Sequence, residues 1–161
     1  MLPATVQTLR AEARRDLAVF ASLLSVAPPP VWPPDLYDDD AVAWSLRELE
    51  QCPDRGPWRT YYFALKTERV LVGAGGYVNG PSNDGSVELG YSVLGAHQRK
   101  GYASEAVDAM VARAFAEPAV RRVIAHTYPD LVASIGVLKK NGFAHVGAGE
   151  QEGTIRFART R

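Results

Sequence analysis

Hydrophobic residues near the start of the chain recur every three or four positions, which is the spacing of one face of an α-helix. This spacing predicts a single helix over residues 5–26 with one buried face. The charged residues on its other face are expected to face solvent; they are Arg10, Glu12, Arg14 and Arg15. A run of prolines ends this helix, and the next helical pattern predicts a helix over residues 39–50.

The middle of the chain changes to short apolar and aromatic runs separated by turn-forming residues, which is typical of β-strands. These runs predict three antiparallel strands, at residues 61–65, 70–78 and 86–93. Helical and extended patterns then alternate; they predict helices at 101–116 and 133–140 and strands at 120–127, 143–147 and 154–158. The order favours an α/β domain whose mixed, mostly antiparallel sheet is flanked by helices.

The composition fits one domain and argues against several classes of function. The 161 residues are 47% hydrophobic and carry no formal net charge. Nucleic-acid-binding proteins usually carry a basic excess, so nucleic acid is not an expected partner.

No apolar stretch has the roughly 18 to 20 residues that span a bilayer, and no signal peptide is recognised, so no membrane association is expected. The single cysteine, Cys52, and three scattered histidines offer no disulfide or metal site. A cytoplasmic protein without a metal is therefore expected.

The junction between the strand at 86–93 and the helix at 101–116 has the features of a phosphate-binding turn. The first turn of a helix has free backbone N–H groups and a dipole that favours anions. Gly101 and Ala103 leave room for a phosphate near the backbone, and Arg99 and Lys100 add positive charge. The pattern predicts a diphosphate site, with an ordinary strand-to-helix turn as the alternative. The glycine-rich run at 73–76 is not a dinucleotide loop, because no helix follows it.

Two motifs resemble those of the GCN5-related N-acetyltransferase (GNAT) superfamily. The cofactor motif (Gln/Arg)-x-x-Gly-x-(Gly/Ala) is matched by Gln98-Arg99-Lys100-Gly101-Tyr102-Ala103. A segment similar to S-I-x-x-L-x-K-x-G-F follows at residues 134–143. The resemblance covers about residues 62–157, and the residues of its motifs are most similar to those of the branch that includes ribosomal-protein alanine acetyltransferases. It implies the acyl-CoA N-acyltransferase fold in a single domain over residues 1–161, with a helical acceptor side at 1–58 and the sheet and CoA-binding core at 61–159.

The resemblance also implies how acetyl-CoA, the acyl donor, is held. Backbone amides from Arg99 to Ser104 would bind its pyrophosphate, and the main chain at 91–93 would pair with its pantetheine arm. In the family this strand splays from the next one, here 120–127, and opens a cleft for the thioester. The expected CoA-binding residues are Tyr91, Ser92, Val93, Gln98, Arg99, Lys100, Gly101, Tyr102, Ala103, Ser104 and Ser134.

Catalysis requires a neutral amine acceptor, so a group must take its proton, directly or through water. Glu88, on the strand that leads to the pantetheine site, is the first candidate, and His126 on the neighbouring strand is the second. The alternatives are an exposed or arginine-paired Glu88 and a structural His126. Many family members have a tyrosine where this chain has Leu138, and that tyrosine can protonate the departing CoA thiolate. In this chain Ser134 would protonate the thiolate, or the thiolate would leave unprotonated. Many also have an asparagine at the position of Leu131, and its absence weakens the case for Ser134.

The acceptor side is expected to lie in the region before the first antiparallel strand. Its large aromatic residues are Trp32, Tyr37, Trp44, Trp58, Tyr61 and Tyr62, of which Trp32 and Tyr61 are the predicted substrate contacts. An acidic run at 35–40 would attract a cationic acceptor or simply begin a helix.

The predicted function is direct transfer of an acetyl group from acetyl-CoA to an amine, either a protein N-terminus or a small molecule. A non-catalytic acyl-CoA sensor and a structural or interaction protein on the same fold are the alternatives. The sequence leaves open whether the protein is a monomer or a homodimer.

Overall fold

Seven strands and five α-helices make up the chain, which the computed structural model describes over all 161 residues, Met1–Arg161. In chain order they are β1 (Leu2–Pro3), α1 (Val6–Ala13), α2 (Leu17–Leu24), α3 (Asp39–Gln51), β2 (Thr60–Ala64), β3 (Leu71–Tyr77), β4 (Ser86–Val93), α4 (Tyr102–Ala116), β5 (Arg122–Thr127), α5 (Val132–Lys140), β6 (Ala144–Ala148) and β7 (Ile155–Thr160). A short 3₁₀ helix, Gly95–His97, lies between β4 and α4. None of the helices combines the length and the apolar character needed to cross a membrane.

The strands follow the order β1-β2-β3-β4-β5-β7-β6. β4 pairs with β5 in parallel, whereas β1 with β2, β2 with β3, β5 with β7 and β6 with β7 pair antiparallel. The predicted α/β fold with a mixed, mostly antiparallel sheet is confirmed. The two-residue strand β1 was not predicted, because it is too short to show a period of its own.

The prediction of one helix over residues 5–26 is wrong, since two helices occupy this segment. Arg15 has a positive φ of 56°, which no helix interior allows. Asp16 then caps α2, because its side chain accepts a hydrogen bond of 3.1 Å from the N–H of Val19. The local cap therefore outweighs an apolar period that runs through the whole segment.

The exposure predicted for the charged residues of this segment is confirmed for three arginines and wrong for the glutamate. Arg10, Arg14 and Arg15 are exposed, but Glu12 is only 5% exposed. Glu12 lies on the buried face of α1 because buried hydroxyl and indole groups donate hydrogen bonds to its carboxylate. A charge can be buried when such donors replace water.

The chain forms two compact units. The first consists of Met1–Gly76 and Tyr91–Tyr102. Its core is rich in aromatic residues from distant parts of the chain: the ring of Phe20 lies 5.4 Å from that of Trp32 and 5.0 Å from that of Tyr62. Leu9 and Leu71 complete the buried cluster around these rings. This packing fixes the segment after the prolines against α1 and α2.

The second unit consists of Tyr77–Gly90 and Ala103–Arg161. The buried face of α4 is formed by Ala106, Val107, Met110, Val111 and Ala114. In the part of β4 that belongs to this unit, Val87 and Leu89 are buried, whereas Glu88 is half-buried and Gly90 is exposed. The alternation places Glu88 on the face opposite to Leu89.

Candidate active site

The loop between β4 and α4 is shaped by two left-handed residues. Arg99 has a φ of +61° and Gly101 a φ of +89°, and α4 begins directly afterwards at Tyr102. A Cβ atom at Gly101 would meet no other atom within 4 Å. Glycine is therefore favoured here by the backbone conformation, while the space in front of it stays open to an approaching group.

The loop contains main-chain donors without a main-chain partner. The N–H groups of Arg99, Lys100 and Gly101 make no main-chain hydrogen bond. All three residues are exposed, and the positive end of the α4 dipole follows them. Free amides and two cationic side chains at a helix start form a site that suits an anion such as a diphosphate. The residues present thus fit the pyrophosphate that the sequence predicted here.

Side chains of the loop hold its shape. The Gln98 amide donates a hydrogen bond of 3.1 Å to the carbonyl of Val93, and the Lys100 ammonium donates one of 3.1 Å to the carbonyl of Ala96. Gln98, predicted as a CoA-binding residue, therefore ties the loop to the end of β4.

Ser104, in the first turn of α4, has a partner that the sequence did not indicate. Its Oγ atom accepts a hydrogen bond of 3.1 Å from the side-chain amide of Asn141, which also donates to the carbonyl of Val137 at 2.9 Å. Asn141 is buried at the end of α5, where asparagine is too common to signal any function. Because the Ser104 oxygen accepts this bond, its hydroxyl proton remains able to donate to a phosphate.

The end of β4 contacts the segment that follows the run of prolines. The Ser92 hydroxyl donates to the main-chain carbonyl of Asp35, close in sequence to Trp32. A Cβ atom at Gly73 would lie 2.3 Å from the carbonyl oxygen of Ser92, so only glycine fits at this position of β3. The segment that contains Trp32 is therefore anchored at the strand predicted to pair with pantetheine.

Glu88 and His126, the two predicted candidates for the base, are bonded to each other. The parallel pairing of β4 and β5 covers three residues of each strand and ends at Glu88 and Ile124. The Glu88 Oε1 atom lies 3.0 Å from His126 Nδ1, and the two side chains are 29% and 14% exposed. The carboxylate and the imidazole therefore form one hydrogen-bonded pair.

Two residues that the sequence did not indicate extend this pair. Arg156 on β7 lies opposite His126 in the sheet, and its Nε–H donates to His126 Nε2 at 3.1 Å. The Arg156 Nη2 atom lies 2.9 Å from a carboxylate oxygen of Glu150. We call Glu88, His126, Arg156 and Glu150 the charged row. No motif marks Arg156, because its role depends on the pairing of β5 with β7.

The helix α5 carries the remaining predicted catalytic residue. Ser134 is half-buried in its first turn. Leu138 is fully buried in the core, and Leu131 precedes the helix without a side-chain capping bond. Apolar leucine side chains therefore occupy the two positions where many family members have a tyrosine and an asparagine.

The two predicted substrate contacts differ in their surroundings. Trp32 is 8% exposed and lines a pocket of ≈ 80 Å³. Tyr61 is buried in β2, and its hydroxyl donates to the carbonyl of Pro57 at 2.9 Å. The residues that line the pocket are Glu12, Arg15, Leu17, Trp32, Pro33, Asp39 and Val42.

Glu12, beside this pocket, is a buried carboxylate with three donors. The Trp32 indole N–H and the Tyr62 hydroxyl each donate at 2.6 Å, and the Tyr37 hydroxyl lies at 3.4 Å. Burial raises the pKa of Glu12 from 4.5 to about 7, although these hydrogen bonds lower it. The desolvation of the charged form thus outweighs the three donors.

Replacing Glu12 with glutamine is expected to change how stability depends on pH. Because the folded-state pKa of Glu12 is raised from 4.5 to about 7, the folded protein holds this proton more tightly than the unfolded chain. The contribution of Glu12 to the free energy of unfolding is then full below pH 4.5 and is lost as the pH rises to about 7. The loss amounts to roughly 3 kcal/mol.

Urea unfolding of wild type and Glu12→Gln across this pH range measures the difference. The stability of wild type relative to the variant should fall by that amount between the two pH limits. Parallel pH profiles for the two proteins would show that Glu12 titrates in the folded state as it does in the unfolded chain.

Two comparisons by sequence relate the chain to known proteins. Residues 7–144 match the acetyltransferase (GNAT) domain family. The uncharacterized N-acetyltransferase YjdG of Bacillus subtilis (strain 168) is 33% identical over 84 residues, which cover 52% of this chain and 50% of that protein. The matched stretch thus spans about half the length of this curated relative.

Solved structures with a similar fold include two acetyltransferases. Ribosomal-protein-S5-alanine acetyltransferase from Vibrio fischeri has a TM-score of 0.69 at 18% identity, and the match covers 98% of this chain and 90% of that one. Spermidine N-acetyltransferase from Vibrio cholerae in complex with CoA and spermine has a TM-score of 0.67 at 14% identity, and the match covers 98% and 92%. At these identities the likeness shows the fold. Since the family match extends over most of the chain, the protein belongs to the GNAT acetyltransferase family.

Proposed function

We propose that the protein is an N-acetyltransferase that moves the acetyl group of acetyl-CoA directly to an amine. The observation that carries this proposal is the loop of unpaired main-chain N–H groups at Arg99, Lys100 and Gly101, at the start of α4. Membership of the GNAT family supports the reading of this loop as a CoA pyrophosphate site. The solved structure of spermidine N-acetyltransferase, which contains CoA and spermine, agrees with a reaction of this type.

The binding roles are those that the resemblance to the GNAT family implies for the loop and for β4. The amides from Arg99 to Ser104 hold the pyrophosphate, and the Ser104 hydroxyl donates to it while Asn141 fixes its oxygen. The main chain at 91–93 pairs with the pantetheine arm, and Ser134 lies near the arm. Lys100 and Arg99 add charge at the rim.

Acetyl-CoA supplies an acyl carbon activated as a thioester, and the protein supplies the proton transfer and the hydrogen bonds. The amine nitrogen attacks the acyl carbon, and Glu88 takes the proton that the amine loses, directly or through water. A backbone N–H of Ser92 or Val93 donates to the developing oxyanion. As the carbon–sulfur bond breaks, the thiolate leaves, with Ser134 as its proton donor or without one. Cys52 is exposed and has no part in this mechanism.

Glu88 is the better of the two bases because of its position in the charged row. Its carboxylate is 29% exposed and has accepting capacity beyond the single bond to His126. Both nitrogens of the His126 imidazole lie within hydrogen-bonding distance of a neighbour. Nδ1 is close to Glu88, and Nε2 is close to Arg156. An incoming amine or water therefore finds a free acceptor on Glu88.

The acceptor is a protein N-terminus or a small-molecule amine, and Trp32 and Tyr61 are the proposed contacts to it. Trp32 is favoured by its position beside a pocket and by the anchoring of its segment to Ser92 through Asp35. The pocket is lined by Glu12 and Asp39 and also by Arg15, whose guanidinium pairs with Asp39 at 2.8 Å, so the charges of Asp39 and Arg15 offset each other. The single-domain organisation over residues 1–161 and a cytoplasmic location are parts of the same proposal.

A thermal-shift series with acetyl-CoA, longer acyl-CoAs, NADH and ATP tests the proposed donor. At 100 times its dissociation constant a ligand adds about 2.7 kcal/mol to stability, which raises the melting temperature by roughly 5 to 10 °C. We expect this rise with the acyl-CoAs and none with NADH. A screen of amines, with free thiol as the readout, then measures turnover. No shift with any CoA species would overturn the proposal, and a shift without turnover would favour the acyl-CoA sensor.

A further inference from the structure

The hydrogen bond between Arg156 and His126 fixes which nitrogen of the imidazole carries the proton. A guanidinium group only donates hydrogen bonds, so His126 Nε2, at 3.1 Å from Arg156 Nε, is the acceptor. The proton of the neutral ring is then on Nδ1. From there it is donated to Glu88 Oε1 at 3.0 Å. The carboxylate of Glu88 consequently receives a donor and keeps its remaining lone pairs for the substrate.

The ring of His126 is also held by packing within the second unit. A Cβ atom at Gly149 would lie 3.1 Å from the Cδ2 atom of His126 and 2.0 Å from the Oγ1 atom of Thr154. The glycine allows the main chain to lie close to the ring edge. His126 is 14% exposed as a side chain, so little space remains for the ring to turn. Rotation of the ring would break both of its hydrogen bonds.

The charged row does not conduct protons to solvent. A relay through His126 would require Nε2 to pass a proton to its neighbour, but that neighbour is the guanidinium of Arg156, which donates hydrogen bonds and accepts none. The outer end of the row is an ion pair between Arg156 and Glu150, at 2.9 Å, whose carboxylate is 66% exposed. The row therefore orients groups, and a proton accepted by Glu88 leaves from the exposed part of Glu88 itself.

We propose that Arg156 is a positioning residue of the acetyltransferase reaction, which holds His126 as the Nδ1–H tautomer so that Glu88 is oriented as the base. The inference rests on the proposed function of Glu88. The two ends of the Arg156 guanidinium have different partners. Nε donates a hydrogen bond to His126, and Nη2 holds the guanidinium in an ion pair with Glu150. Arg156 touches neither the substrate nor the acyl donor in this role.

Arg156→Met tests the proposal, because methionine keeps an unbranched apolar stem and has no donor. The first readout is the ¹⁵N NMR spectrum of His126 in mildly alkaline buffer, where an ordinary imidazole is neutral. We expect protonated Nδ1 and bare Nε2 in wild type, and the appearance of the Nε2–H tautomer in the variant. The second readout is steady-state kinetics, in which kcat falls roughly tenfold or more while KM for acetyl-CoA stays unchanged.

Three further variants separate positioning from general structure. Arg156→Lys retains a cationic donor group and should restore part of kcat and the Nδ1–H tautomer. Glu150→Gln leaves the bond from Nε to His126 intact and should not change the tautomer. Arg159→Met, on the same strand, removes an arginine that donates to the carbonyl of Asn141 and serves as the spectroscopic control.

The proposal is overturned if wild-type His126 carries its proton on Nε2, or if Arg156→Met leaves the tautomer unchanged. It is also overturned if kcat and KM of that variant match wild type while the tautomer changes. Absence of acetyl transfer by wild type would reject the proposed function alone, since the tautomer of His126 is observed without substrate.

Discussion

Glutamate at position 101 is expected to abolish the stabilisation of the protein by acetyl-CoA. Gly101 has a φ of +89° and opens to free space in front of the unpaired N–H groups of the loop. A carboxylate there would compete with the pyrophosphate for these donors and repel its charge. We expect binding to weaken about 100-fold or more, which is ~2.7 kcal/mol. Titration calorimetry with acetyl-CoA measures the loss.

Gly153 offers a matched control for this variant. It lies in the turn between β6 and β7 with a φ of +79°, and a Cβ atom there also meets nothing within 4 Å. Gly153→Glu therefore introduces the same charge and a similar backbone strain, of about 1 kcal/mol, outside the cofactor motif. Equal losses of affinity in both variants would mean that strain or charge in general, and not the loop, explains the effect.

Replacing Glu88 with glutamine is expected to reduce kcat by about 100-fold to 10,000-fold, the usual contribution of a general base. Glutamine has nearly the same shape, and its carbonyl oxygen can still accept the bond from His126 Nδ1, which is 3.0 Å long in wild type. What the variant lacks is the ability to take a proton from the amine. The KM for acetyl-CoA should stay close to that of wild type, because Glu88 is proposed to act on the acceptor.

Glu68→Gln serves as the control for the loss of one carboxylate, since Glu68 is exposed in the turn between β2 and β3. Its kcat should equal that of wild type. Stopped-assay measurements at saturating acetyl-CoA distinguish the two variants. Full activity of Glu88→Gln would remove Glu88 as the base and return His126 as the candidate.

The parts of the candidate site that are contiguous in sequence could be predicted, because their chemistry is local. A glycine, small residues and two cations before a helix are all visible within residues 98–104, whereas the positive φ of Gly101 is known only from the structure. The same holds for the strands and helices with a clear period, such as α3, predicted at 39–50 and found at Asp39–Gln51. Local patterns predict local structure, since each hydrogen bond of a helix joins residues four apart.

The parts that were missed depend on residues far apart in sequence. The burial of Glu12 requires donors from Trp32 and Tyr62, which are 20 and 50 positions away. Arg156 reaches His126 across 30 positions, through the pairing of β5 with β7. Hydrophobic and polar periodicity along the sequence does not indicate which distant side chains will be in contact in the folded protein. Polar partners of this kind were therefore predicted wrongly or not at all.

The two compact units are interleaved along the chain, and this has a consequence for how the protein is made. The first unit ends only with the stretch Tyr91–Tyr102, and the second begins at Tyr77 and resumes at Ala103. During synthesis, the first unit therefore cannot be completed until the loop between β4 and α4 has left the ribosome. By then Tyr77–Gly90, which includes Glu88, has already emerged without the rest of its own unit. No single cut in the gene could separate one unit from the other.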